Sequence, residues 1–320
     1  MTLKNLLARR PDPLIVLIIV AVILAILLPA RGDFAEGFSL ATKVAIALLF
    51  FLYGARLSPT EALQGLKHWK LHSTILGFTY LVFPLLGLAL YPLTYVLGQE
   101  LYLGLLFMCL VPSTVQSSVA FTSLARGNVA GAIVSASASN IAGILLTPLL
   151  VMLLMRNGDL VISGSAFLDI SIQLLLPFLI GQLLRRWVGG IAKNKLTKNV
   201  DRLSIGMVVY SAFSAGIVDG VWSRIGIWQL VVLVILSLLI VEFMLWFSGF
   251  VSNKLGFSYG DRVAVQFCGS KKSLATGVPM AAVIFGGGAV GAIILPLMIF
   301  HQVQLMICAA RAAKWARQAP

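Results

Sequence analysis

VQFCGSKKSLATG, residues 265–277, sets two lysines side by side inside the penultimate apolar segment of a very hydrophobic chain. A cation at mid-membrane depth costs from a few to more than ~10 kcal/mol. Lys271 and Lys272 therefore require a wet cavity, an anion or exposed backbone carbonyls. Gly269, Ser270, Ser273 and Gly277 flank them, and small polar residues in such a run predict a helix that stops and restarts. An earlier segment carries a counterpart, VPSTVQSSVAFTS at 111–123. A break in each half of a membrane chain points to a binding site between two repeats.

Of the 320 residues, 59% are hydrophobic and 11% charged, too apolar a balance for a soluble surface. The chain reads as a polytopic membrane protein. Its formal charge of +13 does not indicate nucleic acid, because the cations sit in short loops between apolar runs. Cys109, Cys268 and Cys308 are scattered through apolar segments, with neither disulfide nor zinc spacing. The first apolar run, 13–30, is long for a signal peptide and is followed by many others, so it reads as a retained helix.

A spanning helix takes ~20 apolar residues. Ten segments qualify: about 13–30, 40–57, 71–95, 100–124, 128–155, 166–188, 203–221, 228–252, 260–286 and 288–310. With the N-terminus placed in the cytoplasm, eighteen of the 24 lysines and arginines fall on the cytoplasmic side and four opposite; Lys271 and Lys272 are the other two. This bias predicts both termini inside, in a bacterial inner (plasma) membrane, with 185–202 as the most basic loop. Ten spans split into five and five, and an odd number per half makes the repeats inverted, about 13–155 and 166–310. Three segment pairs match: the second and seventh each have a small-residue break and a stretch ending in Trp, the fourth and ninth carry the breaks, and the fifth and tenth each contain a proline (LLTP, ILP). The whole chain, 1–320, is one membrane domain.

Pro112 ends the first half of the fourth segment by removing a donor and crowding the preceding turn. Ser113, Thr114, Gln116, Ser117 and Ser118 follow, a cluster that suits a lined cavity. Ser135–Asn140 (SASASN) allows close helix packing; Asn140 is either interhelical glue or a site residue. Glu242, mid-way along the eighth segment, is a proton relay, a partner of Lys271 or Lys272, or a lone protonated carboxyl, the last being preferred. His301, with Gln302 and Gln304 in the last segment, could titrate or hydrogen-bond, a packed histidine being the preferred reading. His68 and His72 are placed near the membrane surface. HExxH, facing carboxylate pairs and nucleotide-binding glycine loops are absent from the sequence, so an enzyme is not expected; GGG at 286–288 reads as a turn.

FCGSKKSLATGVPMA (267–281), PSTVQSSVAFTSLARGNVAGAIVSASASN (112–140) and LPLMIFHQVQLM (295–306) resemble the bile acid:sodium symporter superfamily, in its bacterial branch related to the seventh member of solute carrier family 10. The resemblance runs from about Pro13 to Arg311. It implies an all-α fold of ten helices, a four-helix panel and a six-helix core, with the fourth and ninth helices unwound and crossing. It also implies organic-anion substrates and, in better-known members, sodium coupling. Those members use small polar residues after the fourth-helix proline, where Ser117 and Ser118 fall here. They carry a Glu before the ninth-helix crossover, where this chain has Gln266, and Gln and Asn in it, where this chain has Ser270 and Lys271. From Arg262 onward there is no Asp or Glu. Ser117, Ser118 and Gln266 are thus the sodium candidates, in a setting whose lysines oppose a second cation.

The expected activity is secondary transport of a small organic anion, without a cofactor. Lys271 and Lys272 are expected to stand in for part of the sodium site, so that coupling to sodium is weak and the carrier is proton-coupled or cation-independent. A non-transporting membrane regulator or ligand sensor is the alternative. Expected binding residues are Ser113, Thr114, Gln116, Ser117, Ser118, Asn140, Gln266, Ser270, Lys271, Lys272 and Ser273. The other contacts are with membrane lipid.

Overall fold

The computed structural model describes residues 13–56, 68–155, 164–192, 194–286 and 289–318. Those residues form helices and turns, with no strand among them. In order, the helices are α1 (Pro13–Leu27), α2 (Gly32–Arg56), α3 (Trp69–Ala89), α4 (Gln99–Leu110), α5 (Gln116–Leu124), α6 (Val129–Leu154), α7 (Gly164–Leu183), α8 (Arg185–Ala192), α9 (Lys195–Val218), α10 (Ile227–Lys254), α11 (Tyr259–Gly269), α12 (Leu274–Phe285) and α13 (Ala289–Gln318). Among the described residues, α2, α3, α6, α10 and residues 290–318 of α13 are each long and apolar enough to cross a membrane alone. Large apolar side chains such as Ile26, Leu27, Leu239 and Ile227 are exposed, as lipid contact requires.

Segments four and nine are broken where the sequence predicts. Helix α4 ends at Leu110, and Val111 turns extended before Pro112, because the residue preceding a proline is pushed out of the helical region. Helix α11 ends at Gly269, and Ser273 restarts α12, its hydroxyl accepting from the Thr276 N–H.

Segment six differs from its expected single span, 166–188. The chain turns by 100° between α7 and α8. Arg185 and Arg186 open α8, whose strongly one-sided polarity suits a surface helix. Arg56, at the end of α2, holds this corner: its Nε donates to the Ala192 carbonyl at 2.7 Å and its guanidinium pairs with Asp201.

Helices α1, α2, α7 and α9 pack together, α1 on α9 and α2 on both α7 and α9. The broken helices pack among α3, α6, α10 and α13, and the two groups meet where α9 lies on α12 and α13 and α6 lies on α7. The prolines cited for the fifth and tenth segments do not correspond in position. Pro148 lies late in α6 and Pro296 early in α13, and both helices run through them. Residues 57–67, in the short stretch ending at Trp69, and 287–288 of GGG lie outside the described residues.

Candidate functional site

The two breaks touch. The Ser273 N–H donates to the Pro112 carbonyl at 2.7 Å, Ser113 Oγ to the Cys268 carbonyl at 2.6 Å, and Ser118 Oγ to the Phe267 carbonyl at 3.0 Å. Each of these bonds satisfies a carbonyl at a helix end or in a break, where intrahelical partners run out.

Side chains of the following helix satisfy the unwound backbone in each half. In the first break, Ser139 Oγ accepts from the Ser113 N–H at 3.1 Å and Asn140 Nδ2 donates to the Ser113 carbonyl at 2.8 Å. In the second, Gln304 alone does both: its Oε1 accepts from the Lys272 N–H and its Nε2 donates to the Lys272 carbonyl, each at 2.9 Å. Gln304 Nε2 also lies 2.9 Å from His301 Nδ1, which accepts as the neutral ring.

The adjacent lysines are both fully buried, at 0% exposure, yet their surroundings differ. Lys272 Nζ donates to three backbone carbonyls, Thr79 at 2.9 Å, Cys109 at 2.8 Å and Val111 at 2.9 Å, and lies 4.2 Å from the centre of the Phe83 ring. Cys109 and Val111 are at the frayed end of α4. Thr79 is free for a different reason. Within α3, residues 78–82 form a π-turn in which the Phe83 N–H reaches Phe78; the next donor along would belong to Pro84, which has none. Three orphan carbonyls from two helices thus converge on one ammonium, with its three donors matched.

Lys271 has no such cage. Its Nζ lies 3.3 Å from Ser117 Oγ, 3.9 Å from the centre of the Phe121 ring and 5.5 Å from that of Phe267. Among the described residues, neither lysine has an acidic partner. Ser117 is half-buried and Gln116 exposed, so the Lys271 ammonium lies one side chain below the surface of α5. Thr114 Oγ1 bonds to Ser117 and Ser118 at 2.9 and 3.1 Å; Ser118 and Ser270 are fully buried.

Gln266 lies apart from the crossing. It donates to the Leu245 carbonyl at 3.0 Å and lines a cavity of about 390 Å³ between α10, α11 and α13. Glu242 lies in the same cavity, paired with Arg311 and with neither lysine. This corrects the lone protonated carboxyl expected from the sequence: Arg311, placed there in the loop beyond the last span, extends back along α13. His72, one turn into α3, is buried against α6, its Nδ1 2.6 Å from Ser135 Oγ. Sequence reasoning missed Thr79 and Phe83, for which the FP pair at 83–84 is the one local signal. It places Gln304 as a candidate hydrogen-bonding group of the last helix, but not as the residue that holds the second break.

The family model described as the SBF-like CPA transporter family matches residues 12–317. A Pseudomonas aeruginosa protein, "uncharacterized protein PA2026", is 48% identical over 312 residues, covering 96% of this chain and 94% of its own. The Escherichia coli "putative symporter YfeH" is 44% identical over 319 residues, covering 97% and 94%. Rat "sodium/bile acid cotransporter 7" is 32% identical over 275 residues, covering 82% and 79%.

Proposed function

Because the chain belongs to the SBF-like CPA transporter family, a branch of the bile acid:sodium symporter superfamily whose members are transporters and not enzymes, we propose that it is a secondary active transporter of a small organic anion in the bacterial inner membrane, with Lys271 as the cation that attracts the anion to the crossing. The observation that carries this reading is the unequal pair. Lys272 is saturated by backbone carbonyls, whereas Lys271 faces one hydroxyl and two ring faces. A buried ammonium with one weak hydrogen bond gains most from an anion. The N-termini of α5 and α12 open at the same place and add partial positive charge.

The same reading takes ten spans in two inverted repeats, with α1, α2, α7 and α9 as panel and the remaining spans as core. Its support is the packing. Inversion exchanges the first span with the sixth and the second with the seventh, so the α2–α7 contact maps onto the α9–α1 contact, and both are extensive. The α3–α6 and α10–α13 contacts exchange likewise. Exposed Trp69 and Trp187 lie on the cytoplasmic side of this arrangement, and exposed Tyr91, Tyr95 and Trp228 on the other, as two interfacial belts in contact with lipid.

Sodium coupling is not part of this reading. The rat relative's name includes sodium, but here the carbonyls that a cation at the crossing would use are taken by Lys272 Nζ. Purified full-length protein in proteoliposomes tests the proposal. Uptake of organic anions selected by thermal stabilisation should be saturable, fall at least tenfold in Lys271→Met, and persist when N-methyl-D-glucamine replaces sodium. Stabilisation without any flux would instead favour a ligand sensor.

A further inference from the structure

The cavity between α10, α11 and α13 has a make-up that the crossing lacks. Its walls are apolar and aromatic, from Leu245, Trp246, Phe250 and Trp315, and its polar groups include one carboxylate and one guanidinium, Glu242 and Arg311. The two are paired, with side chains 44% and 40% exposed, so the pair faces the open volume and is not sealed in packing. Glu242 is sixteen residues into a 28-residue helix, about 22 Å from its start at 1.5 Å per residue. That is near the middle of the helix, and in the proposed ten-span arrangement an ion pair at this level is costly. Arg311 reaches it from near the far end of α13. One aromatic layer separates the cavity from the crossing: Trp315 is 5.0 Å from Phe267 ring to ring, and Phe267 lies against Lys271.

We propose that this cavity binds an amphipathic carboxylate in exchange for the Glu242–Arg311 pair, and that Glu242 takes up one proton as the carboxylate binds. The inference rests on the transporter reading for its consequence, proton-coupled anion transport, but the site has its own test. The apolar body of the ligand lies between Trp246, Phe250 and Trp315, and its carboxylate takes the guanidinium of Arg311, a group shaped for bidentate carboxylate binding. Were Glu242 to stay ionised, two carboxylates would share one cation in a low-dielectric cavity, a net charge that is expensive at this depth. A proton on Glu242 removes it. The balance is simple: the cavity is neutral before, as carboxylate and guanidinium, and neutral after, as carboxylic acid, guanidinium and bound anion. One anion and one proton enter together.

The other groups around Glu242 do not compete for this role. On α13, Cys308 lies close enough to feel its charge but is fully buried, and Lys314 and Arg317 are exposed further along. On α11, Gln266 is neutral and engaged with Leu245, and Arg262 is engaged with Asn253. The turn Thr94–Leu97, also packed on α10, carries no charge.

The experiment is calorimetric titration of the purified full-length protein with 1-naphthoate, decanoate and the neutral analogue 1-naphthamide, in two buffers of different ionisation enthalpy. One proton should be taken up per carboxylate bound, and the amide should not bind. Glu242→Gln should bind naphthoate with no proton uptake and with affinity that no longer varies with pH; Arg311→Gln should bind at least tenfold more weakly. The wild-type proton count does not depend on any variant folding. Binding without proton uptake, proton uptake that persists in Glu242→Gln, or no saturable binding of either carboxylate would overturn the inference. Proton-linked binding without flux in proteoliposomes leaves this site and refutes the transporter; flux that depends on Lys271 but not on Glu242 or Arg311 does the reverse.

Discussion

Gly54 of α2 and Gly181 of α7 face one another reciprocally. A Cβ on Gly54 would lie 1.9 Å from the Phe178 carbonyl oxygen, and one on Gly181 would lie 2.0 Å from the Phe51 carbonyl oxygen. Each glycine thus meets the backbone three residues before the other, the close approach that small residues permit between membrane helices. Backbone cannot step aside as a side chain can. Gly54→Ala and Gly181→Ala should each lower stability by about 1–3 kcal/mol, read as a drop in melting temperature in detergent. Gly190→Ala, on α8 with nothing within 4 Å, is the control. It should be neutral or stabilising by up to ~1 kcal/mol. Equal melting of all three would mean that α2 and α7 do not meet at these glycines.

All three cysteines are buried at 0% exposure. Intact protein should therefore show no maleimide adduct by mass spectrometry, and three after denaturation in detergent. In that background Gln116→Cys should label rapidly and Ser118→Cys slowly, since residue 116 is exposed and Ser118 is bonded to Phe267. Rapid labelling at 118 would show that α5 and α11 part in solution.

These contacts show which parts of the molecule were legible in the chain. Both breaks were, because Pro112 and the Gly-Ser-Lys-Lys-Ser run violate helix chemistry locally. The unequal lysines were not. Their difference is made by Thr79, whose carbonyl is orphaned by Pro84 in a third helix, and no periodicity reports which distant carbonyl a side chain will find. Asn140 was left open between two roles; its amide donates to the Ser113 carbonyl in the break and to the Ala136 carbonyl one turn back on its own helix. Glu242 was misread because its partner is 69 residues away, on a helix that extends well past its apolar core. The turn into α8 was lost because hydropathy averages over Arg185 and Arg186, which end the span.

Helix α8 also gives a topological test. Reporter fusions within 185–192 and after Arg317 should both read cytoplasmic, and one within Tyr91–Leu97 should read external, given the charge bias and the exposed aromatics at each level. An external signal at either of the first two points would remove the ten-span arrangement.

Lys272 provides the sharpest test of how the crossing is held. Its ammonium satisfies three buried carbonyls, and a buried acceptor left without a donor costs ~1–3 kcal/mol. Lys272→Met fills the space but supplies no donor, so it should be destabilised by about 3 kcal/mol or more, whatever salt is present. Lys272→Ala differs, because it leaves a space ringed by the oxygens of Thr79, Cys109 and Val111. Oxygen ligands of this kind suit a hard cation. Sodium chloride should therefore raise the melting temperature of Lys272→Ala above its value in choline chloride at equal ionic strength. The wild type, whose cation is covalently attached, should melt at the same temperature in both salts. Sodium-dependent melting of the wild type would mean that a mobile cation binds elsewhere. If Lys272→Ala ignores sodium, the three carbonyls are a fit to the ammonium alone and not a general cation cage.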